Sequence, residues 1–502
     1  MLNAAASFGQ QAVNMGLQVF LLAFILRRVS EKEYGLYLIA TTVQGMVWLL
    51  RDAIGKGNIT QVARYRERGD MAMINKVISS STLLLLAPAV LTMAAVLVLA
   101  GTAANFFDLD PGMRQTLVYM MYLAGLDVLL VLPLFSFNGV IQASQRYDIL
   151  SWVTIVFRLI RAAAIVMLFA WVKADVLFVM LATIISDVGI QIVLMLYCVR
   201  LSPGLQILPR HFDRAVAMAL VAFGSYIVAA SVLNVGSQEL SKWIIGKMLD
   251  LSLVTALTVA AYLLTIVRTV VQTMTLVLVP VATRYQTLGQ ETVMREMLVR
   301  GTRYSCLASA AATVGFLPVM GPVLSVWLKP ELGWVGPFAA VVGLVGVVCT
   351  PGDCAQQILN GMGDAKRPCY VTIWAAAVSL ASLVLMVGVL GWGFTGAIVS
   401  FCIGMVIFWL GMTILAIRSI RVSLRTLAVQ AYLHPLLPLA PALAAGYWVS
   451  LLAPPLNWGS LSVSWLAGSA AYLVCFLPFV TRQEWDLVRR GLSRLRQVGA
   501  SK

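Results

Sequence analysis

Charge is scarce in this chain: Asp, Glu, Lys and Arg together make up 11% of its 502 residues. An average soluble domain holds roughly 25%, so too few polar side chains are present to cover a water-soluble globule. Histidine is nearly absent, with only His211 and His434. The seven cysteines (198, 306, 349, 354, 369, 402 and 475) are scattered, without a C-x-x-C pair or a His/Cys cluster. That spacing points to free, buried thiols and away from a disulfide or metal framework. No P-loop occurs, which excludes nucleotide hydrolysis by the chain itself. No hydrophilic stretch is long enough for a soluble domain, and the longest inter-helical segment runs from 282 to 303. The absence of a large loop or a catalytic signature argues against an enzyme.

Apolar residues supply 60% of the chain and the mean hydropathy is +0.90. Runs of about 20 apolar residues, enough to cross a ~30 Å hydrocarbon core, recur along its length. Fourteen membrane helices are expected, at 5–26, 36–60, 77–101, 115–139, 149–172, 175–199, 215–245, 252–281, 304–328, 335–360, 371–390, 393–417, 434–453 and 460–480. The opening MLNAAASFGQQAVN lacks a basic start and reads as a retained span. Loops of odd number carry seven Lys and Arg, whereas even loops and the C-terminal tail carry twenty-three. The basic side is the cytoplasmic one, so both termini are expected inside. Nearly all of the net charge of +15 is therefore a topology signal and does not point to nucleic acid. The tail 481–502 is expected to lie on anionic lipid headgroups.

The chain also repeats itself. Asn14-x-Gly16-x-Gln18 returns as Asn234-x-Gly236-x-Gln238, and Arg64-Tyr65 as Arg284-Tyr285, both at an offset of 220 residues. Asn138-Gly139 returns as Asn360-Gly361 at 222. Such self-similarity predicts two stacked copies of one helical unit, as in secondary transporters, with the site in the cleft between them. The copies are assigned as an N-lobe (1–205, helices 1–6) and a C-lobe (206–425, helices 7–12). A hairpin (426–480) and the basic tail (481–502) follow.

Polar residues inside the spans are the candidate site. Ser7, Gln11, Asn14 and Gln18 share one helical face, as do Ser231, Asn234, Gln238 and Ser241. Amides facing lipid would stay unsatisfied, so these stripes face protein or a wet cavity. Arg51, Asp52 and Arg268 lie deep in helices 2 and 8. Arg158 and Arg161 share a face of helix 5, where paired guanidinium forks suit phosphate oxygens. Asp127, Asp187 and Asp353 are either static partners of these arginines or sites for a coupling cation, and Asp52 joins them in the second role. Glu239 and Lys242 are spaced to pair with each other, and Lys56 is placed to snorkel. Pro133 and Pro351 occupy comparable positions ahead of the two Asn-Gly pairs, as hinges or as fixed kinks.

Three segments carry a family resemblance. Ile25–Leu50 (ILRRVSEKEYGLYLIATTVQGMVWLL) resembles the first hairpin of polysaccharide flippases of the Wzx type. Phe137–Val153 (FNGVIQASQRYDILSWV) and Leu359–Trp374 (LNGMGDAKRPCYVTIW) resemble that family's short turns after helices 4 and 10. The resemblance implies membership of the multidrug/oligosaccharidyl-lipid/polysaccharide exporter (MOP) superfamily, with two six-helix lobes in a V and alternating access. The implied activity is to turn an undecaprenyl-diphosphate-linked oligosaccharide from the inner to the outer leaflet of the bacterial cytoplasmic membrane. It also implies no cofactor beyond a coupling cation, H⁺ or Na⁺, and partners among polysaccharide polymerases and glycosyltransferases. The resemblance implies arginines and carboxylates lining the cavity on helices such as 1, 2 and 8, and Arg51, Asp52 and Arg268 fit helices 2 and 8. Helix 1 departs, because its only basics, Arg27 and Arg28, sit at its outer end. The alternative readings are a drug/cation antiporter of the same superfamily and, less favoured, a membrane-embedded polymerase or ligase.

Overall fold

The computed structural model describes residues 2–206, 209–364, 366–452 and 457–480; within these ranges it describes side chains outside 2–8, 46, 49, 52–53, 56, 209 and 222–234. The basic tail, and the side chains of Ser7, Asp52, Lys56, Ser231 and Asn234, thus lie outside the described residues. The described residues are helical throughout, without a strand. The helices are α1 (Leu2–Leu26), α2 (Glu31–Glu67), α3 (Met71–Phe106), α4 (Pro111–Ala143), α5 (Tyr147–Trp171), α6 (Val176–Leu201) and α7 (Arg214–Met248). They continue as α8 (Leu251–Thr287), α9 (Glu291–Trp327), α10 (Pro330–Gly361), α11 (Lys366–Val389), α12 (Gly393–Ile420), α13 (Leu424–Leu452) and α14 (Trp458–Phe479).

Twelve of these are long and apolar enough to cross a membrane, which makes the chain a multi-pass membrane protein. The other two, α2 and α7, run 37 and 35 residues where the second and seventh spans were expected. The expected count of fourteen crossings is therefore not matched one for one. All seven cysteines are free.

Local chemistry explains where the helices start and stop. Ser30 and Glu33 open α2 with a reciprocal cap: Glu33 N donates to Ser30 Oγ (3.1 Å) and Ser30 N to Glu33 Oε2 (2.8 Å). At the end of α2, Asp70 N reaches back to the Tyr65 carbonyl (3.0 Å) across Gly69 at φ +69°. The end of α8 repeats the motif, with Gln290 N on the Tyr285 carbonyl (3.1 Å) across Gly289 at φ +64°. Glycine suits both turns because only it enters the left-handed region without a Cβ penalty. The turns after α4 and α10 match in the same way: Arg146 N bonds the Ile141 carbonyl (3.2 Å) and Asp364 N the Leu359 carbonyl (3.2 Å). Their left-handed residues are Gln145 and Gly363. The repeat read from the sequence is thus a repeat of backbone geometry.

The Asn-Gly pairs mark a close crossing in each copy. A Cβ on Gly139 would lie 2.9 Å from Asn58 Nδ2, and that amide donates to the Ser136 carbonyl (2.7 Å), joining α2 to α4. A Cβ on Gly361 would lie 2.5 Å from the Val279 carbonyl, and Thr283 Oγ1 donates to the Gly361 carbonyl (2.7 Å), joining α8 to α10. Both prolines sit just before these crossings and interrupt their helices. After Pro133 the chain tightens to a 3₁₀ turn at Phe135–Phe137, and Pro351 separates Gly336–Cys349 from Gly352–Gly361.

The described residues pack as two compact units, one from Met1–Thr258 with Ala365–Gly404, the other from Val259–Asp364 with Met405–Lys502. This grouping by packing differs from the repeat-based division at 205 and 425. In the first unit α2 packs on α3, α4 and α7, α5 packs on α1 and α6, and α11 lies against α7. In the second, α10 packs on α8 and α9, and α13 pairs with α14. Small residues permit these contacts: Gly315 and Gly468 leave room for α9 against α14, with a Cβ on Gly315 falling 2.5 Å from the Trp465 carbonyl.

Gly361→Ala is expected to cost about 1–3 kcal/mol, because the obstructing Val279 carbonyl is backbone. Gly139→Ala is expected to cost less, since the obstructing Asn58 is a side chain. Thermal unfolding in detergent checks the order, and a Gly361→Ala protein that melts like wild type contradicts the close approach.

Candidate functional site

Each unit carries one cluster of intramembrane polar groups, and the two clusters differ in how their charges are met. In the first unit Gln44, on α2, projects at Asp127 on α4. Gln44 Nε2 donates to Asp127 Oδ2 (2.6 Å), and Asp127 is fully buried. Its Oδ1 has no hydrogen-bond partner among the described residues. Arg51, two turns further along α2, lies over the rings of Trp48 (4.9 Å) and Phe135 (4.8 Å). Such stacking sets the guanidinium against apolar ring faces.

The rest of this cluster comes from α5 and α6. Arg161, Arg158 and Arg51 all lie within electrostatic reach of Asp187, which in turn faces Asp127. Tyr37 on α2 lies close to Thr183 on α6 beside them. Neither Arg158 nor Arg161 forms a salt bridge among the described residues, and the Nε atom of each is buried without a partner. Among the described side chains the cluster gathers three guanidiniums and two carboxylates.

The second unit closes its charge. Arg268 on α8 grips Asp353 on α10 with two bonds, Nε to Oδ2 and a terminal nitrogen to Oδ1, both 2.7 Å. Gln272, one turn on, adds a longer contact to Oδ2 (3.4 Å). The Asp353 side chain is 1% exposed and that of Arg268 36%. Of the three acids open as partners for Arg268, the fold selects Asp353 and forms a bidentate pair. Asp353 thereby bonds a guanidinium, whereas Asp127, among the described residues, bonds a neutral amide.

The amide stripes divide as well. Asn14 is buried and its Oδ1 lacks a partner among the described residues, while Gln11 and Gln18 are exposed. On α7, Gln238 is exposed and Ser241 Oγ donates to the Ser237 carbonyl (2.7 Å). Asn234 lies outside the described side chains. Glu239 and Lys242 pair at 2.7 Å, as their spacing predicts. Sequence reasoning missed Gln44, although an amide in the apolar run of α2 is the same signal used for α1. It also missed Trp243, whose Nε1 donates to Thr42 Oγ1 (2.9 Å) and ties α7 to α2. No group of three or more candidate metal ligands occurs among the described residues.

With this geometry in place, the relatives can be compared. Residues 2–286, more than half of the chain, match the family described as polysaccharide biosynthesis protein, and the chain belongs to that family. An uncharacterized membrane protein of Bacillus subtilis (strain 168), EpsK, is 21% identical over 507 residues, covering 99% of this chain and 98% of that protein. The solved structure of the lipid II flippase MurJ, in an inward closed conformation, has a TM-score of 0.72 at 11% identity over 97% of this chain and 99% of its own. An inward-facing multidrug resistance MATE family transporter of the MOP superfamily has a TM-score of 0.69 at 14% identity, over 82% and 94%. The fold is that of MOP-superfamily transporters, as the resemblance implied.

Arg268→Ala leaves a carboxylate buried without its counter-charge and is expected to destabilise the protein by about 3–5 kcal/mol. Replacing both partners, as Arg268→Met with Asp353→Leu, is expected to recover most of that loss. Melting of the two variants in detergent checks this, and equal losses would show that Arg268 does not act through Asp353.

Proposed function

We propose that the protein is a flippase that carries a polyprenyl-diphosphate-linked oligosaccharide from the inner to the outer leaflet of the bacterial cytoplasmic membrane by alternating access. The observation that carries this reading is the pair of buried guanidinium groups on α5. Arg158 and Arg161, one turn apart on α5 with buried, unpartnered Nε atoms, repel each other until an anion comes between them. A diphosphate supplies acceptor oxygens for both forks. The family's description and the fold shared with a lipid II flippase support a lipid-linked glycan as the cargo.

In this reading Arg158, Arg161 and Arg51 hold the diphosphate, and the amides of Gln11, Asn14, Gln18, Asn234 and Gln238 bond sugar hydroxyls. Arg268 has a structural role through Asp353. An inside-negative potential drives each negative charge of the cargo outward with about 2.3 kcal/mol per 100 mV. If a cation also couples, Asp127 and Asp187 are the groups to take it, since Asp353 is held by Arg268. A drug/cation antiporter is the weaker alternative, because a cationic cargo would meet a basic cluster.

The test is translocation of a fluorescent polyprenyl-diphosphate glycan in proteoliposomes. Arg158→Ala with Arg161→Ala is expected to slow transfer per folded protein at least about tenfold, the loss of one to two charge-assisted contacts. Wild-type transfer by the double variant would remove the pair from the mechanism. Transport of organic cations in place of the glycan would overturn the cargo assignment.

A further inference from the structure

On the side of the basic loops, each copy of the repeat builds the same junction, at the turn from α2 to α3 in one and from α8 to α9 in the other. In the first unit the junction is filled by the chain itself. Asn75 Nδ2 donates to the Gly204 carbonyl (3.1 Å), and Gln206 N donates to Asn75 Oδ1 (3.0 Å), so one amide holds the α6–α7 linker at both its edges. Leu205, between these two contacts, packs on the apolar cluster that includes Tyr65, Met71, Ile74 and Cys198.

Moving 220 residues along the chain replaces Tyr65, Met71, Ile74 and Asn75 by Tyr285, Glu291, Met294 and Arg295. The linker that follows in the second unit, from Ile420 to Leu424, is too short to fold back. Where Leu205 sits in the first unit, the second has a cavity of about 150 Å³ walled by Tyr285, Met294, Met362 and Ser419. The Ser419 hydroxyl is buried with no partner among the described residues. At the rim Arg421 stands exposed at φ +57° beside Glu291, and Arg295 Nε donates to the Ile420 carbonyl (3.3 Å).

We propose that this cavity is a docking site for a turn-forming segment of a cytoplasmic partner protein, with a leucine-sized side chain in the cavity and an acidic residue beside it. The filled copy of the junction defines the occupant: a turn, closed by Leu205 N on the Ser202 carbonyl (3.0 Å) with Gly204 at φ +97°, that presents one apolar side chain between polar contacts. That is the common division of labour in peptide capture, with backbone bonds giving affinity and a pocket giving selectivity. Charge selects the source. Arg421 lines the opening, and Glu291 beside it is already paired with Arg295 (3.1 Å), which leaves Arg421 to favour an acidic segment. The chain's own C-terminal stretch is a poor match, since it carries Arg482, Arg489, Arg490, Arg494 and Arg496. The site is separate from the polar clusters above and does not depend on the transport reading.

The probe is an acetylated hexapeptide copying residues 201–206 of this chain with an acid at the end (Leu-Ser-Pro-Gly-Leu-Asp). It is added to full-length protein in detergent, labelled at methionine methyls. Saturable shifts of the Met294 and Met362 signals are expected. Replacing the probe's second leucine by alanine is expected to weaken binding about tenfold or more. Arg421→Glu, an exposed change, is expected to weaken it as well and to remove its salt dependence. No shift at millimolar peptide, or equal shifts with the alanine probe, overturns the proposal. So does movement of the same signals in peptide-free protein carrying Leu492→Ser and Leu495→Ser, which would make the C-terminal stretch the occupant.

Discussion

A charge buried in an apolar interior must find an opposite charge or a hydrogen-bonding, wet surface, and this constraint separates the two halves of the molecule. Removing an ion from water costs several kcal/mol even after relaxation. The second unit meets that cost within itself, through the two 2.7 Å bonds from Arg268 to Asp353. The first unit leaves part of it unmet. Asp127 has a single amide donor, and the Nε atoms of Arg158 and Arg161 have none to bond. A fold that spends one copy of its repeat on a closed pair and leaves the other open has room for a ligand in the open one.

The backbone supplies the frame for both outcomes. Close crossings at Gly139 and Gly361 bring an even-numbered helix, α2 or α8, against its partner α4 or α10. Left-handed turns at Gly69 and Gly289 then reverse the chain in the same way in each copy. In each unit a side chain on α2 or α8 meets a carboxylate on α4 or α10, at positions that the 220-residue offset does not make equivalent. Whether the donor is an amide (Gln44) or a guanidinium (Arg268) decides if the carboxylate is electrically closed. The same logic governs the junctions at the basic side, one occupied by Leu205 and the other open beside Ser419. Duplication preserved the scaffold, and single residues and one linker length changed its use.

This arrangement suits an anionic cargo. A pair of buried guanidinium groups attracts phosphate oxygens, and the aromatic rings around Arg51 help to fix the position of a third. The prolines that interrupt α4 and α10 lie next to the crossings. Any change in helix angle there would move Asp127 relative to Gln44, or Asp353 relative to Arg268. Conformation and charge pairing are thereby linked within each unit.

Much of the build was legible in the residues. Apolar run length placed the helices, because a hydrocarbon slab sets a minimum span. Recurrent Asn-Gly and Arg-Tyr pairs showed the duplication, because the same crossing and turn demand the same small or turn-forming residues. The Glu239–Lys242 contact followed from spacing alone, since both groups lie on one helix. What the residues left open were contacts between helices. Asp127, Asp187 and Asp353 were equivalent candidates for Arg268, and only the packing of α8 on α10 chose among them. The attachment of α11 to the first unit, the approach of Gln44 to Asp127 and the open junction beside Met294 were hidden for the same reason. Periodicity determines which residues share a face of a helix; which neighbour that face meets is decided by the angle and rotation at which helices cross.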